Sequence, residues 1–127
     1  MKFLYLALGG SIGAILRYLF TMFSIRFFPH GIFTGTMIVN VIGSFLIGFA
    51  FVLLGREQIS PNLKILLFVG IFGSFTTFST FMFETWDLYK EGTFKMAAIY
   101  LSLSSVLGLL AVYSGFLIAE LIEKQIK

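Results

Sequence analysis

Four long apolar segments fill almost all of this 127-residue sequence and constrain its fold more than any other feature. A helix needs about 20 apolar residues to cross the hydrocarbon core of a bilayer. Backbone in lipid must also satisfy its hydrogen bonds internally, which favours helices. The sequence therefore predicts an all-α membrane protein, formed by one transmembrane domain. The four predicted spans are Phe3–Ile25, Ile32–Leu54, Leu63–Tyr89 and Phe94–Ile122.

Composition supports this class and argues against several others. The chain is 58% hydrophobic and only 12% charged, whereas soluble domains carry about 25% charged residues. It contains no cysteine, so neither a disulfide framework nor a thiolate metal site is expected. The net charge of +3 comes from basic residues scattered among apolar runs, which fits membrane edges better than a nucleic-acid surface. No catalytic motif is recognisable, and we expect neither an enzyme nor a nucleic-acid-binding protein.

The basic residues predict no clear orientation in the membrane. With four spans both termini lie on one side, and positive residues set topology through a marked excess on the cytoplasmic side. Here the two sides carry Lys2, Arg56, Lys64, Lys124 and Lys127 against Arg26, Lys90, Lys95 and Arg17. Two interpretations stay open. Copies insert in both orientations, or Arg56 and Lys64 fix a single one.

The first segment contains one packing feature and one buried charge. Gly9 and Gly13 have the small-x3-small spacing with which membrane helices approach each other closely. Arg17 follows within the apolar run, where a charged side chain is costly and often functional. The alternative is that Arg17 reaches towards the interface while Arg26 marks the end of the span.

The third segment is interrupted by the stretch GSFTTFSTF, from Gly73 to Phe81, which holds five hydroxyls and three phenylalanines. Glycine and β-branched threonine both weaken helix propagation, so we expect the helix to break over Gly73 to Thr76. Such a break is tolerated at membrane depth only against protein or a wet cavity. Interrupted membrane helices commonly form ion or substrate sites, which makes this stretch the predicted functional site.

Polar and small residues recur every four positions on the second and fourth segments, which places each set along one helical face. The two sets are Thr36, Asn40, Ser44 and Gly48, and Tyr100, Ser104 and Gly108. The Asn40 amide must find hydrogen-bond partners inside the bilayer. It either clamps two helices together or contributes to a site beside the broken helix.

Neutral hydrogen-bond donors are plentiful in the spans, whereas ionisable groups are scarce. A proton-coupled transporter needs an acid or a histidine at mid-depth, and Glu84 lies near the end of its segment. Phenyl rings have electropositive edges. Phe78 and Phe81 share a helical face, where they either pack or, together with hydroxyls, stabilise a small anion. The neighbouring hydroxyls of the stretch are Thr77, Ser79 and Thr80.

Three stretches of the sequence closely resemble the Fluc (CrcB) family of fluoride channels. They are GSFTTFSTF, GGSIGAILRY from Gly9 to Tyr18, and VNVIGSFLIG from Val39 to Gly48. The similarity extends over the whole chain in length and span order. Ser74 stands where threonine is more usual after the glycine, and it keeps the hydroxyl.

The resemblance implies a fluoride-selective channel in the inner (plasma) membrane that exports cytoplasmic fluoride passively and so lowers its toxicity. It also implies an antiparallel, dual-topology homodimer in membrane lipid, with two pores. The implied pore residues are Asn40, Phe78, Phe81, Thr77, Ser79, Thr80, Tyr100, Ser104 and Thr36. Backbone carbonyls of Gly73 and Thr76 would hold a structural Na⁺ at the dimer interface, and Arg17 would lie near the vestibule or interface. Gly108 replaces a serine found in some members, which shortens the polar track.

Two other functions are compatible with four short spans. A small dual-topology multidrug transporter would need an acid in the first span, and Phe3–Ile25 contains none. The other alternative is a membrane assembly subunit without transport of its own. Replacing Phe78 or Phe81 with isoleucine separates packing from a pore role.

Overall fold

The computed structural model describes residues 1–27, 34–55 and 59–126. The predicted start of the second span at Ile32 and the basic residues Arg56 and Lys127 lie outside these ranges. Among the described residues the chain is helical apart from short connections. In chain order the helices are α1 (Lys2–Phe27), α2 (Gly35–Gly55), α3 (the pieces Pro61–Lys64, Ile65–Phe72 and Gly73–Phe75), α4 (Phe78–Lys90) and α5 (Phe94–Ile126).

Four helical stretches of the described chain are long and apolar enough to cross a membrane. The prediction of an all-α protein with four candidate spans is therefore confirmed, with boundaries that differ by a few residues. α1 continues to Phe27 and α5 to Ile126, because both ends carry polar residues that extend a helix beyond the apolar run. The four stretches are Lys2–Phe27, Gly35–Leu54, Pro61–Lys90 and Phe94–Gln125.

α1 packs closely against α3 at the small-x3-small glycines. Gly9 and Gly13 are both buried, and a Cβ atom added to Gly9 would collide with the carbonyl oxygen of Leu66. It would also come within 3.0 Å of the Gly70 Cα atom. Only glycine allows the two backbones to lie this close, as the spacing predicts.

α2 and α5 form the other close pair and run in the same direction. Gly108 faces the Ser44 side chain, and Gly48 lies against the backbone of Val112. Nearer the start of both helices, the Thr34 side chain meets Tyr100. Because residue numbers rise along both helices from one contact to the next, the two helices are parallel. The polar faces predicted on the second and fourth segments therefore come together.

A small buried cluster joins α2, α4 and α5. Met37, Phe81 and Tyr100 form it, each at most 7% exposed. Many apolar side chains elsewhere stay exposed in the single chain, among them Phe3 and Leu109. Exposed apolar surface on this scale is expected where lipid or another membrane-embedded copy covers it.

The backbone between α3 and α4 is extended at two residues, Thr76 (φ −82°, ψ 159°) and Thr77 (φ −148°, ψ 119°). The sequence predicted the break over Gly73 to Thr76, whereas helical backbone continues through Phe75. The reason is local, since the Thr76 N–H still donates to the Phe72 carbonyl at 3.1 Å, an ordinary helical bond. Before it, Ile65–Phe72 has the wider π-helical winding, which is often found at functional sites.

Candidate functional site

A cavity of about 360 Å³ lies where α2 faces the ends of α3 and α4. Its volume falls within the range of small-molecule sites. Six of the predicted site residues line it, together with four small or apolar ones. They are Asn40, Gly73, Thr76, Thr77, Phe78 and Phe81, with Gly43, Ser44, Ile47 and Phe72.

Asn40 from α2 contacts the backbone of Thr77 through two hydrogen bonds. The Thr77 N–H donates to Asn40 Oδ1 at 2.8 Å, and Asn40 Nδ2 donates to the Thr77 carbonyl oxygen at 2.9 Å. Of the two interpretations left open for Asn40, the geometry shows features of both. The side chain joins two spans, and it also lines the cavity.

The hydroxyls at the start of α4 bond to each other and to the backbone. Thr77 Oγ1 accepts from the Thr80 N–H at 3.3 Å and so caps the helix. The same oxygen lies 3.0 Å from Thr80 Oγ1 and 3.4 Å from Ser79 Oγ. Three predicted hydroxyls therefore form one compact group, of which Thr77 lines the cavity.

The two extended residues interrupt the helical hydrogen bonds between the end of α3 and the start of α4, and the carbonyls of Gly73 and Thr76 are among those that lose their usual donors. In a continuous helix the Thr77 N–H would bond to Gly73 and the Thr80 N–H would bond to Thr76, four residues earlier. Here these N–H groups donate to Asn40 Oδ1 and to Thr77 Oγ1 instead. The carbonyls of Gly73 and Thr76 are thus available as oxygen ligands.

The two phenylalanines of the motif differ sharply in burial. Their ring centroids lie 6.2 Å apart with an angle of 67° between the ring planes. Phe81 is 7% exposed and meets the Tyr100 ring edge-to-face at 5.3 Å. Phe78 is 73% exposed. One ring is therefore part of the core, while the other projects from the cavity wall.

A second polar group lies between α2, α4 and α5, around the Glu84 carboxylate. Thr36 Oγ1 donates to Oε1 at 2.6 Å, and the Tyr100 hydroxyl donates to Oε2 at 2.5 Å. Thr34 Oγ1 lies 3.1 Å from Oε2. The predicted residues Thr36 and Tyr100 come together here and not at the Asn40 cavity. A separate cavity of about 230 Å³ adjoins this group.

Sequence reasoning did not include Thr34 or Glu84 among the site residues. Glu84 follows Phe81 by three positions and so shares its helical face, which was the signal available. Thr34 precedes α2 and accepts from the Met37 N–H at 3.1 Å, so its position depends on where that helix begins.

Ser104 and Arg17 lie apart from both groups. Ser104 Oγ is buried, makes no hydrogen bond and lines neither cavity, so its predicted pore role stays a prediction. Arg17 is half-buried on α1 and is not among the residues that line either cavity. Its predicted role near a vestibule or interface stays a prediction.

The chemistry of the cavity beside Asn40 is that of neutral donors, ring edges and carbonyls. None of the described residues that line it has an ionisable side chain. Within the described parts of the chain, no group of three or more His, Cys, Asp or Glu side chains is placed to hold a metal ion. A cation here would depend on backbone oxygens.

Comparison with known proteins identifies the family of this chain. The sequence model of the family described as "CrcB-like protein, Camphor Resistance (CrcB)" matches residues 4–116. The chain belongs to the CrcB-like family. The resemblance noted in the sequence is thereby confirmed, and with four candidate spans this CrcB-like chain is a multi-pass membrane protein.

Curated relatives within this family carry the name "Fluoride-specific ion channel FluC". The protein from Shewanella sp. (strain ANA-3) is 48% identical over 112 residues, which cover 88% of this chain and 90% of the relative. The relative from Shewanella oneidensis is 47% identical and that from Shewanella loihica 46% identical, over the same shares of each chain. The similarity therefore extends over nearly the full length of both proteins.

Proposed function

We propose that this protein is a fluoride-selective channel through which cytoplasmic fluoride leaves the cell passively, down its electrochemical gradient. The observation that carries the proposal is the uncharged lining of the cavity beside Asn40, where amide, hydroxyl and ring-edge groups meet. The names of relatives with almost half of their residues in common support fluoride as the ion. On this proposal the protein is not an enzyme.

Neutral donors suit a conducted anion. Fluoride is small and strongly hydrated, so it needs a site with close-fitting donors. The larger chloride ion would fit such a site poorly. A fixed positive charge would bind the ion tightly, whereas conduction requires binding that is favourable and still weak enough for release. Hydrogen fluoride enters cells as a neutral acid and dissociates inside, and a negative membrane potential then drives fluoride outwards.

The functional unit we propose is an antiparallel, dual-topology homodimer in the plasma membrane, with the third span broken and two pores. The nearly equal basic flanks support insertion in both orientations. Phe78 supports an intermolecular pore, because its ring lies beside the cavity and is 73% exposed in one chain. Reporters fused to the C terminus should then give signal on both sides of the membrane, and signal on one side alone would contradict the proposed topology.

A structural Na⁺ at the dimer interface is part of this proposal. The Gly73 and Thr76 carbonyls would hold it, and both lack the N–H donors that a continuous helix would supply. Oxygen atoms of this kind are the ligands that hard cations prefer. When bound, the ion would supply positive charge at the centre of the dimer. Dimers transferred into Na⁺-free buffer with a bulky organic cation should dissociate at lower detergent concentrations than dimers kept in Na⁺.

Efflux from liposomes tests the channel function directly. Purified protein should release fluoride, measured with a fluoride electrode, once a potassium ionophore lets K⁺ leave and so prevents a membrane potential from opposing the efflux. The protein should exclude chloride strongly. Equal chloride and fluoride fluxes would refute the proposal. A requirement for a proton gradient would instead favour a transporter.

A charge placed in the cavity provides a sharper form of this test. Asn40→Asp puts a carboxylate in the proposed anion path and should reduce efflux strongly. Asn62→Asp is the matched control, because Asn62 lies in the first turn of α3 and lines neither cavity. Equal efflux from the two variants would show that the ion does not pass Asn40.

A further inference from the structure

The carboxamide of Asn40 pairs with the backbone of a single residue, Thr77. It accepts from the N–H at 2.8 Å and donates to the carbonyl at 2.9 Å. Thr77 is extended, and the N–H and C=O of an extended residue point to the same side, as they do between paired strands. A primary amide presents its own oxygen and N–H side by side. The Asn40 side chain therefore takes the place of a neighbouring strand.

This pairing satisfies groups that the break would otherwise leave unsatisfied. Thr77 is only 9% exposed, and an unpaired buried backbone group costs free energy. Inside a membrane no lipid atom replaces the lost partner. The Thr76 N–H needs no partner on α2, because it keeps a helical hydrogen bond to the Phe72 carbonyl. Thr77 is thus the residue whose conformation depends on α2.

We infer that Asn40 is a positioning residue, which holds the Thr77 backbone extended and thereby sets where α4 and the Phe78 ring begin. By taking the Thr77 N–H it also keeps the Gly73 carbonyl without a helical donor. An asparagine amide has two N–H groups, so one remains for the cavity that Asn40 lines. The expected effect on fluoride efflux rests on the proposed function, whereas the hydrogen bonds between Asn40 and Thr77 do not.

The competing interpretation is that Asn40 acts only as a donor to the ion. In that case the conformation of the Thr77 backbone does not depend on residue 40, and any short side chain with a donor can replace asparagine. If Asn40 positions Thr77, a replacement must carry a donor and an acceptor side by side at the same reach. Serine has a hydroxyl but is too short to meet both backbone groups.

Amide hydrogen exchange tests the pairing without any fluoride. The protein, labelled with ¹⁵N-threonine in detergent micelles, is compared with Asn40→Leu, which keeps the branched shape and the number of side-chain heavy atoms but has no polar group. Loss of the pairing should speed exchange at the Thr77 N–H by about tenfold or more. Thr85, in the middle of α4, should keep its rate, and so should Thr77 in the control Asn62→Leu. Unchanged exchange at Thr77 in a folded Asn40→Leu protein would overturn the inference.

A second variant covers the case in which Asn40→Leu does not fold. Replacing Thr77 by its α-hydroxy acid removes the N–H and leaves Asn40 and the threonine side chain intact. Because the ester also makes the Thr76 carbonyl a weaker acceptor, efflux is compared only if the dimer stays as stable in Na⁺ as the wild type. Fluoride efflux should fall about tenfold in this backbone ester, as expected when a hydrogen bond that sets the site is lost. The same replacement at Thr85 removes a helical bond and should change efflux less. Equal effects at the two positions would contradict the inference.

Efflux from Asn40→Ser separates positioning from simple donation. Positioning predicts that efflux falls as far as in Asn40→Leu, and efflux near the wild-type level would show that donation alone matters. If wild-type liposomes release no fluoride, the proposed function fails. The exchange experiment still decides whether Asn40 holds Thr77.

Discussion

The Tyr100 hydroxyl donates a 2.5 Å hydrogen bond to Oε2 of Glu84 and so joins α5 to α4. The other carboxylate oxygen accepts from Thr36 on α2 at 2.6 Å, which brings three helices to one side chain. An acidic group within a membrane span is costly unless it is paired or hydrogen-bonded. Neutral hydroxyls provide that stabilisation here, and they hold α2, α4 and α5 around the buried cluster of Met37, Phe81 and Tyr100.

Removing the Tyr100 hydroxyl should destabilise the fold. Tyr100→Phe keeps the ring against Phe81 but withdraws one donor from Glu84, and a hydrogen bond to a charged group contributes about 1.5–3 kcal/mol. Thermal unfolding in detergent should show a clearly lower midpoint. Tyr113→Phe is the control, because Tyr113 is 61% exposed and its hydroxyl has no partner among the described residues. Equal shifts in the two variants would contradict this account of Glu84.

Two adjacent glycines on α1 should respond very differently to alanine. A Cβ at Gly9 would collide with the Leu66 carbonyl, whereas a Cβ at Gly10 would lie 3.5 Å from Ser74 Oγ, an ordinary contact. Gly9→Ala should therefore cost about 1–3 kcal/mol of stability through overpacking, and Gly10→Ala should cost little. Detergent unfolding of both variants measures this. Similar losses would mean that α1 and α3 pack less closely than described.

The sequence was sufficient to predict the main elements of this fold. Spans follow from the length of the apolar runs, and the close approach of α1 follows from the spacing of Gly9 and Gly13. The cavity at the motif was also foreseeable, because the hydroxyls and rings that line it are neighbours in the chain. Family membership followed from the same stretches, as the match over residues 4–116 confirms.

Contacts between distant segments were not predictable in the same way. Spacing within one segment places Asn40 on a helical face but does not show that its partner is the backbone of Thr77. It likewise gives no distance between Glu84 and Tyr100, which belong to different spans. Spacing also does not show that the N–H of the extended residue Thr77 donates to a side chain on another helix. Such pairings depend on tertiary packing and not on local propensity.

The two motif phenylalanines should separate stability from conduction. Phe81 is 7% exposed and packs on Tyr100, so Phe81→Ile should lower stability by about 1–3 kcal/mol as the cluster repacks. Phe78 is 73% exposed, and Phe78→Ile should leave the unfolding midpoint nearly unchanged while fluoride efflux falls. Unfolding and efflux are measured on the same preparations. A large loss of stability in Phe78→Ile with normal efflux per folded dimer would favour a packing role for that ring.

A serine at position 108 should extend the polar face of α5. A Cβ at Gly108 would lie 3.7 Å from Ser44 Oγ, so a larger residue fits without displacing its neighbours. Ser104, one turn earlier, has a buried hydroxyl without a partner, and residues four apart share a helical face. Gly108→Ser therefore adds a donor beside Ser44 and Ser104, and fluoride efflux should rise. Gly108→Ala adds the same carbon without the hydroxyl and should leave efflux at the wild-type rate. An equal change in both variants would show that the added volume, and not the donor, affects the ion.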